Sequence, residues 1–235
     1  MKNACILLIL LGVLLVGCSQ VDTKKSVIDL ESEKNTVIKD KDTHIIDVYK
    51  PNPENRTELV KVAQVVDAST SETNNLVAGM VNYEHGAMQK AIENFDEVIK
   101  SDPENVLAYY YRALANYNLS RFNEAIKDVD EVIKLQPEEP GLYVMRASFK
   151  IGKNDFQSAL MDYDRAIKIS PHNTTIYFSR ADLKASLQDL KGAIADMDKV
   201  IEIDPTSSKA YIYRADFKVS NNDIKGAEKD YTKAT

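Results

Sequence analysis

Residues 109–137 read YYYRALANYNLSRFNEAIKDVDEVIKLQP, and the pattern of this stretch recurs three more times at intervals of 34 residues. The later copies comprise Tyr143, Arg146, Ala147, Ala159, Asp162 and Pro171, then Tyr177, Arg180, Ala181, Ala193, Asp196 and Pro205, then Tyr211, Arg214, Ala215, Ala227 and Asp230. A weaker copy precedes them, with Gly79, Ala91, Phe95 and Pro103. Each copy contains two apolar patterns of helical spacing, which predicts a pair of helices per repeat.

This period and its two halves resemble the tetratricopeptide repeat, whose unit of 34 residues folds as helix, turn and helix. The resemblance covers residues 72–235 and implies about five repeats, 72–105, 106–139, 140–173, 174–207 and 208–235. It implies an all-α solenoid of antiparallel helix pairs that forms a right-handed superhelix with a concave inner face. Members of this family mostly bind other proteins and rarely catalyse reactions, so the resemblance predicts the fold more closely than the function.

The resemblance also places small side chains where the two helices of a repeat approach each other. On the first helices these are Gly79, Ala113, Ala147, Ala181 and Ala215, and on the second helices Ala91, Ala125, Ala159, Ala193 and Ala227. The residues expected to fill the space beside them are Phe95, Val129, Tyr163, Met197 and Tyr231. Pro103, Pro137, Pro171 and Pro205 should terminate the second helices, since the residue before a proline avoids the helical conformation.

A recurring Arg and a recurring Asp distinguish the last four repeats from the usual family pattern, which has Leu at the Arg position. The pairs are Arg112 with Asp128, Arg146 with Asp162, Arg180 with Asp196 and Arg214 with Asp230. The first repeat has Ala78 and Asn94 instead, so both residue types are lost together. This matched loss predicts a structural ion pair between the two helices of a repeat. The alternative is that the Arg binds a carboxylate ligand, which a bidentate guanidinium suits.

Four further carboxylates form a row with one member per repeat: Asp96, Asp130, Asp164 and Asp198. We interpret this row as solvated residues on outer faces. The sequence contains no phosphate loop, no nucleophile elbow and no His–Cys pair, so it predicts no catalytic residues and a protein that is not an enzyme. His44, His85 and His172 lack ligand spacing, which argues against a metal site, and no cofactor is expected.

Composition excludes one class of partner. The net charge is −6 with a pI near 5.2, whereas nucleic-acid binding needs concentrated Lys and Arg. Hydrophobic residues make up 44% of the chain and charged residues 28%, which suits an ordered core under a polar surface. The sequence therefore predicts protein partners and no nucleic acid.

The N-terminus carries an apolar run, residues 4–16, that is too short to span a bilayer and is typical of a secretory signal. It ends in Leu15-Val16-Gly17-Cys18, which resembles the lipobox of bacterial lipoproteins. The resemblance implies a signal peptide over residues 1–17 and acylation of the Cys18 thiol. The alternative is an ordinary signal peptide with an incidental cysteine. The lipoprotein interpretation predicts membrane attachment in a bacterial cell envelope, at the outer membrane facing the periplasm if the envelope is Gram-negative.

Residues 18–71 do not contain the 34-residue sequence pattern. We expect a polar tether here because few apolar side chains are available to form a core. Pro51-Asn52-Pro53 interrupts any helix in this segment. Beyond it, apolar residues at helical spacing predict one short helix over residues 57–68, which could cover the first repeat.

The resemblance assigns the concave surface mainly to the first helix of each repeat. The assigned residues are Leu76, Met80 and Tyr83, then Tyr110, Leu114 and Tyr117, then Val144, Ser148 and Ile151, then Phe178, Asp182 and Ala185, and finally Ile212, Asp216 and Val219. Aromatic and aliphatic residues in its N-terminal part suggest a partner-binding groove. The alternative is that curvature, or residues 57–68, covers them. The Lys and Asn pattern that clamps a terminal carboxylate in chaperone-binding members is missing.

Together these features predict a lipid-anchored envelope protein that acts as a scaffold or adaptor for an assembly of proteins. The alternative is a receptor lipoprotein that closes its tyrosine-rich groove around a small molecule or peptide. We also expect Thr235 to be a natural end, because the sites that carry Ile or Leu in earlier second helices become Glu228 and Thr235. A terminal repeat needs such a polar outer face to remain soluble.

Overall fold

The computed structural model describes residues 71–235, with side chains from residue 74 onward. Helices and short turns account for this whole range. The helices are α1 (Ser71–Glu84), α2 (Met88–Ser101), α3 (Val106–Asn118), α4 (Phe122–Leu135), α5 (Pro140–Gly152), α6 (Phe156–Ile169), α7 (Thr174–Ser186), α8 (Leu190–Ile203), α9 (Ser208–Ser220) and α10 (Ile224–Ala234). The predicted signal peptide, the lipidation site Cys18, the tether and the helix over 57–68 lie outside the described residues.

The chain divides into two compact units, Met1–Ala115 and Asn116–Thr235. In the described part of the first unit, α1 packs against α2, and most of α3 follows. The second unit contains the end of α3 and helices α4 to α10. There α5 packs on α6, α7 on α8 and α9 on α10, while α4–α5, α6–α7 and α8–α9 contacts join one pair to the next.

Each turn between the paired helices contains one residue in the left-handed region. These residues are Gly86, Ser120, Asn154, Gln188 and Asn222, with φ values of 76°, 58°, 63°, 65° and 61°. The next residue is the N-cap of the second helix, and from the third repeat onward it is Asp. The Asp189 carboxylate, for example, accepts a hydrogen bond from the Gly192 N–H at 2.9 Å. Such a cap satisfies an N–H that lacks a partner within the helix.

The loops between repeats are held by tyrosines as well as by prolines. The Tyr143 hydroxyl donates to the Pro137 carbonyl at 2.9 Å, and the Tyr177 hydroxyl donates to the Pro171 carbonyl at 3.0 Å. Each proline comes two residues after its helix ends and cannot continue it. The recurring Tyr therefore connects the first helix of one repeat to the loop that precedes it.

The core is built at the small residues of each pair. Ala147 and Ala159 are fully buried, with Tyr163 beside them, and Ala181 and Ala193 are buried with Met197. In the first repeat, a Cβ atom on Gly79 would lie 2.5 Å from the ring of Phe95, so only glycine fits there. Tyr231 differs from our expectation. It is 40% exposed, because its hydroxyl extends to the Asp216 carboxylate at 2.5 Å.

The Arg and Asp residues form a network within each repeat of the second unit. Arg146 donates to Asp162 from Nη2 at 2.6 Å and from Nε at 3.0 Å, while Lys150 Nζ lies 2.7 Å from the same carboxylate. The corresponding pairs are Arg180 with Asp196 and Arg214 with Asp230, joined by Lys184 and Lys218. The structure thus brings together the predicted pairs of repeats three to five. Arg112 and Asp128 belong to different units, and the pair between them stays a prediction.

The row of carboxylates formed by Asp96, Asp130, Asp164 and Asp198 is not merely solvated, so our interpretation of it was wrong. Arg146 Nη1 donates to Asp130, on the preceding helix pair, at 2.6 Å. Arg112 with Asp96, Arg180 with Asp164 and Arg214 with Asp198 repeat this contact at 2.5, 2.5 and 2.6 Å. Although burial lowers the pKa of Arg146, its hydrogen bonds to Asp162 and Asp130 raise that pKa overall. Each of these arginines therefore ties its own repeat to the one before it.

The first repeat replaces the charged pair with a neutral one. Asn82 Nδ2 donates to Asn94 Oδ1 at 2.8 Å, at the positions that carry Lys and Asp in repeats three to five. This substitution matches the absence of Arg at residue 78. A carboxylate at residue 94 would have no guanidinium from its own repeat to compensate its burial.

Candidate functional site

Two residues assigned to the groove in the first unit are not available on an open surface. Leu76 is 8% exposed and Tyr110 is 6% exposed. Tyr110 packs edge to face on Tyr111 at 5.6 Å, and burial, with a smaller effect from Tyr83, raises the pKa of Tyr110 to about 12. Tyr110 is thus a core residue, which corrects its placement in the groove. Met80, Tyr83 and Leu114 are half-buried.

Tyr117 also makes extensive contacts with its own unit. Its ring stacks on Phe149 with centroids 4.7 Å apart and meets Phe122 edge to face at 5.7 Å. The same Phe122 ring lies against the end of α5, where a Cβ atom on Gly152 would approach it to 2.6 Å. The aromatic residues of the N-terminal part of the predicted groove therefore contribute largely to packing.

The predicted groove residues of α5, α7 and α9 remain more accessible, and we call them the first-helix face. They are Val144, Ser148, Ile151, Phe178, Asp182, Ala185, Ile212, Asp216 and Val219. Ile212 and Val219 are 43% and 42% exposed. They lie seven residues apart, two turns along one side of α9. An exposed pair of aliphatic side chains on one stripe is a surface that a partner can cover.

An aromatic pair holds a lysine on this face. The rings of Phe178 and Tyr213 meet edge to face with centroids 5.2 Å apart. The Lys209 ammonium lies 4.6 Å from the Phe178 centroid and 5.3 Å from that of Tyr213. The negative faces of aromatic rings attract a cation at these distances. This part of the face therefore already accommodates an ammonium group.

A cavity of about 340 Å³ opens between α5 and α7, with α6 behind it. Its lining comprises Ile151, Tyr163, Ser179, Asp182, Leu183 and Ser186. The Tyr163 hydroxyl lies close enough to the Ser148 and Ser179 hydroxyls for both to act on its pKa. Burial raises the pKa of Tyr163, and the nearby Asp182 charge adds to this, against the opposing effect of the serine hydroxyls.

Asp182 is an exposed carboxylate that differs in its contacts from the Asp at the same position of the next repeat. It forms no hydrogen bond or ion pair with any residue that the structure describes. The Asp182 side chain is exposed, but partial desolvation by its neighbours raises the pKa of Asp182, and Lys209 offsets this only partly. Asp216, at the corresponding position of the next repeat, accepts a hydrogen bond from the Tyr231 hydroxyl. Asp182 is therefore a charge that lacks a close partner.

The described residues show no constellation for bond-making chemistry. Within 71–235, no group of three or more His, Cys, Asp or Glu residues could hold a metal ion. None of the helices in this range combines the length and apolar character needed to cross a membrane. A second cavity, of about 390 Å³, is lined by charged residues that include Asp130 and Arg146, which pair with each other, and Lys134, which pairs with Glu131.

Sequence reasoning placed Ser148, Ile151 and Asp182 on one face but missed the residues that complete the cavity. Tyr163 was expected only to fill the core, and Ser179 and Ser186 were not considered. One signal was available: Ser179 stands where the next repeat has Tyr213, so the two repeats differ in bulk at the same position. A small residue in place of a large one leaves space.

Comparison with known proteins agrees with this architecture. Residues 76–140 match one model of the tetratricopeptide repeat, and residues 140–173 and 174–207 match a second model of the same description. These matches together span more than half of the chain. The chain belongs to the tetratricopeptide repeat family. The all-α fold class predicted from the sequence is thereby confirmed, and this family is generally non-enzymatic.

Solved tetratricopeptide repeat (TPR) structures share the fold. A crystal structure of MamA protein has a TM-score of 0.61 and 22% identity over 70% of this chain and 90% of that chain. MamA 41-end from Desulfovibrio magneticus RS-1 has a TM-score of 0.60 and 18% identity over 72% and 95% of the two chains. YrrB, described as a TPR protein with an unusual peptide-binding site, has a TM-score of 0.54 and 17% identity over 75% and 90%. No curated protein matches the chain.

Proposed function

We propose that this protein is a lipid-anchored docking protein of the bacterial cell envelope that binds a partner protein on the first-helix face. The observation that carries the proposal is the exposure of Ile212 and Val219 on one side of α9, at 43% and 42%. TPR proteins bind proteins or peptides, and YrrB is described as having a peptide-binding site. Covering these aliphatic side chains with a partner would remove apolar surface from water, which favours association.

Paired substitutions on α9 test the docking face. Ile212→Asp with Val219→Asp should lower partner capture at least about tenfold, since charges would then be desolvated at the centre of the interface. Ile224→Asp is the control, because Ile224 is 52% exposed but lies on α10, off the face. The full chain would be cross-linked in membranes, and the cross-linked species of the three proteins compared.

Two outcomes of the cross-linking decide the proposal. Loss of the same cross-linked species in the Ile212 and Val219 double variant, with the Ile224 variant unchanged, supports docking on this face. Equal cross-linking by all three proteins, with helicity intact by circular dichroism, would show that the partner binds elsewhere.

The anchor is the second part of the proposal, and the sequence Leu15-Val16-Gly17-Cys18 supports it. An acylated Cys18 would hold the chain at the membrane, since several acyl chains give stable attachment where one is marginal. Cys18→Ala should release the protein from membranes or leave it unprocessed. Detergent partitioning measures this, with Cys5→Ala as the matched control within the apolar run. Processed Cys18→Ala protein in the detergent phase would contradict the anchor.

A receptor for a small molecule or peptide is the second candidate function. The cavity between α5 and α7 favours it, because about 340 Å³ falls within the range of small-ligand sites. The cavity is open on one side and shares Ile151 and Asp182 with the first-helix face, which suits an extended partner better than an enclosed ligand. Binding of an isolated small ligand as tight as that of a peptide would favour the receptor.

A further inference from the structure

Resting on the proposed docking function, we propose that the cavity between α5 and α7 receives a lysine or arginine side chain of the partner protein. The Asp182 carboxylate would pair with its charge, and Ile151 and Leu183 would contact its aliphatic stem. Long basic side chains combine these two properties, an apolar stem and a charged end. The partner segment is therefore basic, with apolar residues that meet Ile212 and Val219.

The cavity offers hydrogen-bond acceptors, which favour a ligand that donates hydrogen bonds. The Ser179 hydroxyl donates to the Thr175 carbonyl at 3.2 Å, and the Ser186 hydroxyl donates to the Leu183 carbonyl at 2.7 Å. Their protons are therefore engaged within α7. The Tyr163 hydroxyl, which also lines the cavity, interacts with the Ser148 and Ser179 hydroxyls, so the acceptors that face a ligand are the Ser186 oxygen and the Asp182 carboxylate. The Asp182 carboxylate only accepts. An ammonium has three N–H donors and a guanidinium five, and neither accepts, so both match this lining.

The charge of Asp182 points to the same ligand. Every buried Asp of the Arg–Asp network in repeats three to five has both Arg and Lys partners, whereas Asp182 is exposed and has no ion pair among the described residues. Lys209, whose charge acts on the Asp182 carboxylate, lies over the Phe178 and Tyr213 rings and forms no ion pair with it. A cation from outside would thus find a free carboxylate beside aromatic rings that already attract an ammonium.

The chain itself shows how the cavity can be closed. Tyr213 occupies in the fifth repeat the position of Ser179 in the fourth, and its ring packs on Phe178 at 5.2 Å and on Phe217 at 6.1 Å. Ser179→Tyr would place the same side chain at the equivalent site of α7. Because a tyrosine is already accommodated there in the next repeat, this variant should fill the cavity and keep the helix pair.

The probes are three synthetic 12-residue peptides in which leucine alternates with lysine, glutamine or glutamate, together with N-acetyl-lysine amide. Binding to the full chain would be measured by calorimetry at two salt concentrations. We expect the Leu–Lys peptide to bind tightest and to weaken with salt, because an exposed charge pair is screened. Asp182→Asn should weaken it about tenfold, as loss of a charge-assisted hydrogen bond does. Ser179→Tyr should weaken it at least as much.

The control for charge is Glu228→Gln, which changes the net charge by the same amount as Asp182→Asn on the exposed side of α10. It should change binding less than about twofold, which is the effect of long-range attraction alone. Circular dichroism and urea unfolding would establish that every variant is folded. Loss of binding in Asp182→Asn and Ser179→Tyr, with Glu228→Gln unchanged, supports the inference.

Other results overturn it. Equal binding by Asp182→Asn and Glu228→Gln would mean that the peptide follows net charge and not this cavity. Binding of the glutamine or glutamate peptide as tight as that of the lysine peptide would exclude a basic partner. Binding of N-acetyl-lysine amide as tight as that of the peptide would indicate a small-molecule receptor. If none of the probes binds, the inference that the cavity receives a basic side chain is wrong. The proposed docking function is tested separately, by cross-linking of the Ile212 and Val219 double variant.

Discussion

Arg146 lies between two carboxylates that come from different helix pairs and differ in exposure. The side chain of Asp162 is 5% exposed, whereas that of Asp130 is 41% exposed. A buried charge depends on its partner, because the desolvation of an unpaired ion is costly. An exposed charge gains little, because water and salt already screen it. The two contacts to one guanidinium should therefore differ in what they contribute to stability.

Asp162→Asn should lower the free energy of unfolding by about 3 kcal/mol, since both Arg146 and Lys150 then lose a buried counter-charge. Asp130→Asn should lower it by less than about 1 kcal/mol, since that contact is largely exposed. Urea unfolding of the two variants and the parent chain measures this difference. Equal losses in the two variants would mean that burial of the carboxylate does not decide the contribution.

The turn between α7 and α8 is an element whose sequence and conformation conflict. Gln188 has a φ of 65°, a region in which residues with a Cβ atom are strained and glycine is not. The equivalent turn residue between α1 and α2 is Gly86, with a φ of 76°. Asn154 and Asn222 occupy this site in other repeats, and asparagine tolerates the left-handed region better than most residues. The repeat thus imposes the conformation, and the residues accommodate it unequally.

Gln188→Gly should raise the free energy of unfolding by about 0.5–1 kcal/mol, because relief of the strained φ exceeds the added entropy of the unfolded chain. Asn154→Gly is the matched control and should have an effect near zero. Thermal unfolding of both variants tests the difference. A loss of stability in Gln188→Gly would show that contacts of the glutamine side chain compensate its backbone strain.

At the scale of the whole molecule, two aspartates should affect stability with opposite signs. Burial raises the pKa of Asp230, but hydrogen bonds from Arg214 and Lys218 lower it more, so its pKa is below the ordinary value. Its ionised form therefore stabilises the fold above the unfolded pKa, and this is lost as the pH falls through the folded pKa. The pKa of Asp182 is raised by partial desolvation despite Lys209, so its ionised form destabilises the fold, and only slightly because the side chain is exposed to water.

Asp182→Asn should therefore slightly raise the melting temperature at pH 7, within the range of about 0.5 kcal/mol typical of surface substitutions. Asp230→Asn should lower it. The Asp182→Asn difference should shrink first as the pH falls, because the Asp182 carboxylate becomes protonated above its ordinary pKa. The Asp230→Asn difference should persist to lower pH, declining only below the unfolded-state pKa and towards the lowered folded-state pKa. Melting temperatures from pH 7 down to about pH 3 check the two signs. If Asp182→Asn lowers the melting temperature at pH 7, the Asp182 carboxylate has a stabilising partner within the protein. It would then not be an unpaired charge that is free to bind a ligand.

The sequence by itself determined the repeat and its helices. A period of 34 residues places each Tyr, Arg, Ala and Asp at an equivalent site, so packing that satisfies one repeat satisfies the others. For the same reason the spacing of 16 residues was enough to pair Arg146 with Asp162. Asp130 precedes Arg146 by the same 16 residues, a signal that was present but was interpreted as solvation.

Tertiary structure decided which residues of a predicted face are accessible. Tyr110 and Ile212 were both assigned to the groove, yet one is 6% exposed and the other 43%. Helical spacing gives the direction of a side chain from its own axis, but burial depends on what the neighbouring helices place against it. Tyr110 packs on Tyr111 and is affected by the charge of Tyr83, whereas the cavity beside Asp182 is lined by Ser179 at the position where the next repeat carries the larger Tyr213. Such spaces arise between side chains distant in sequence, so only the assembled helices reveal them.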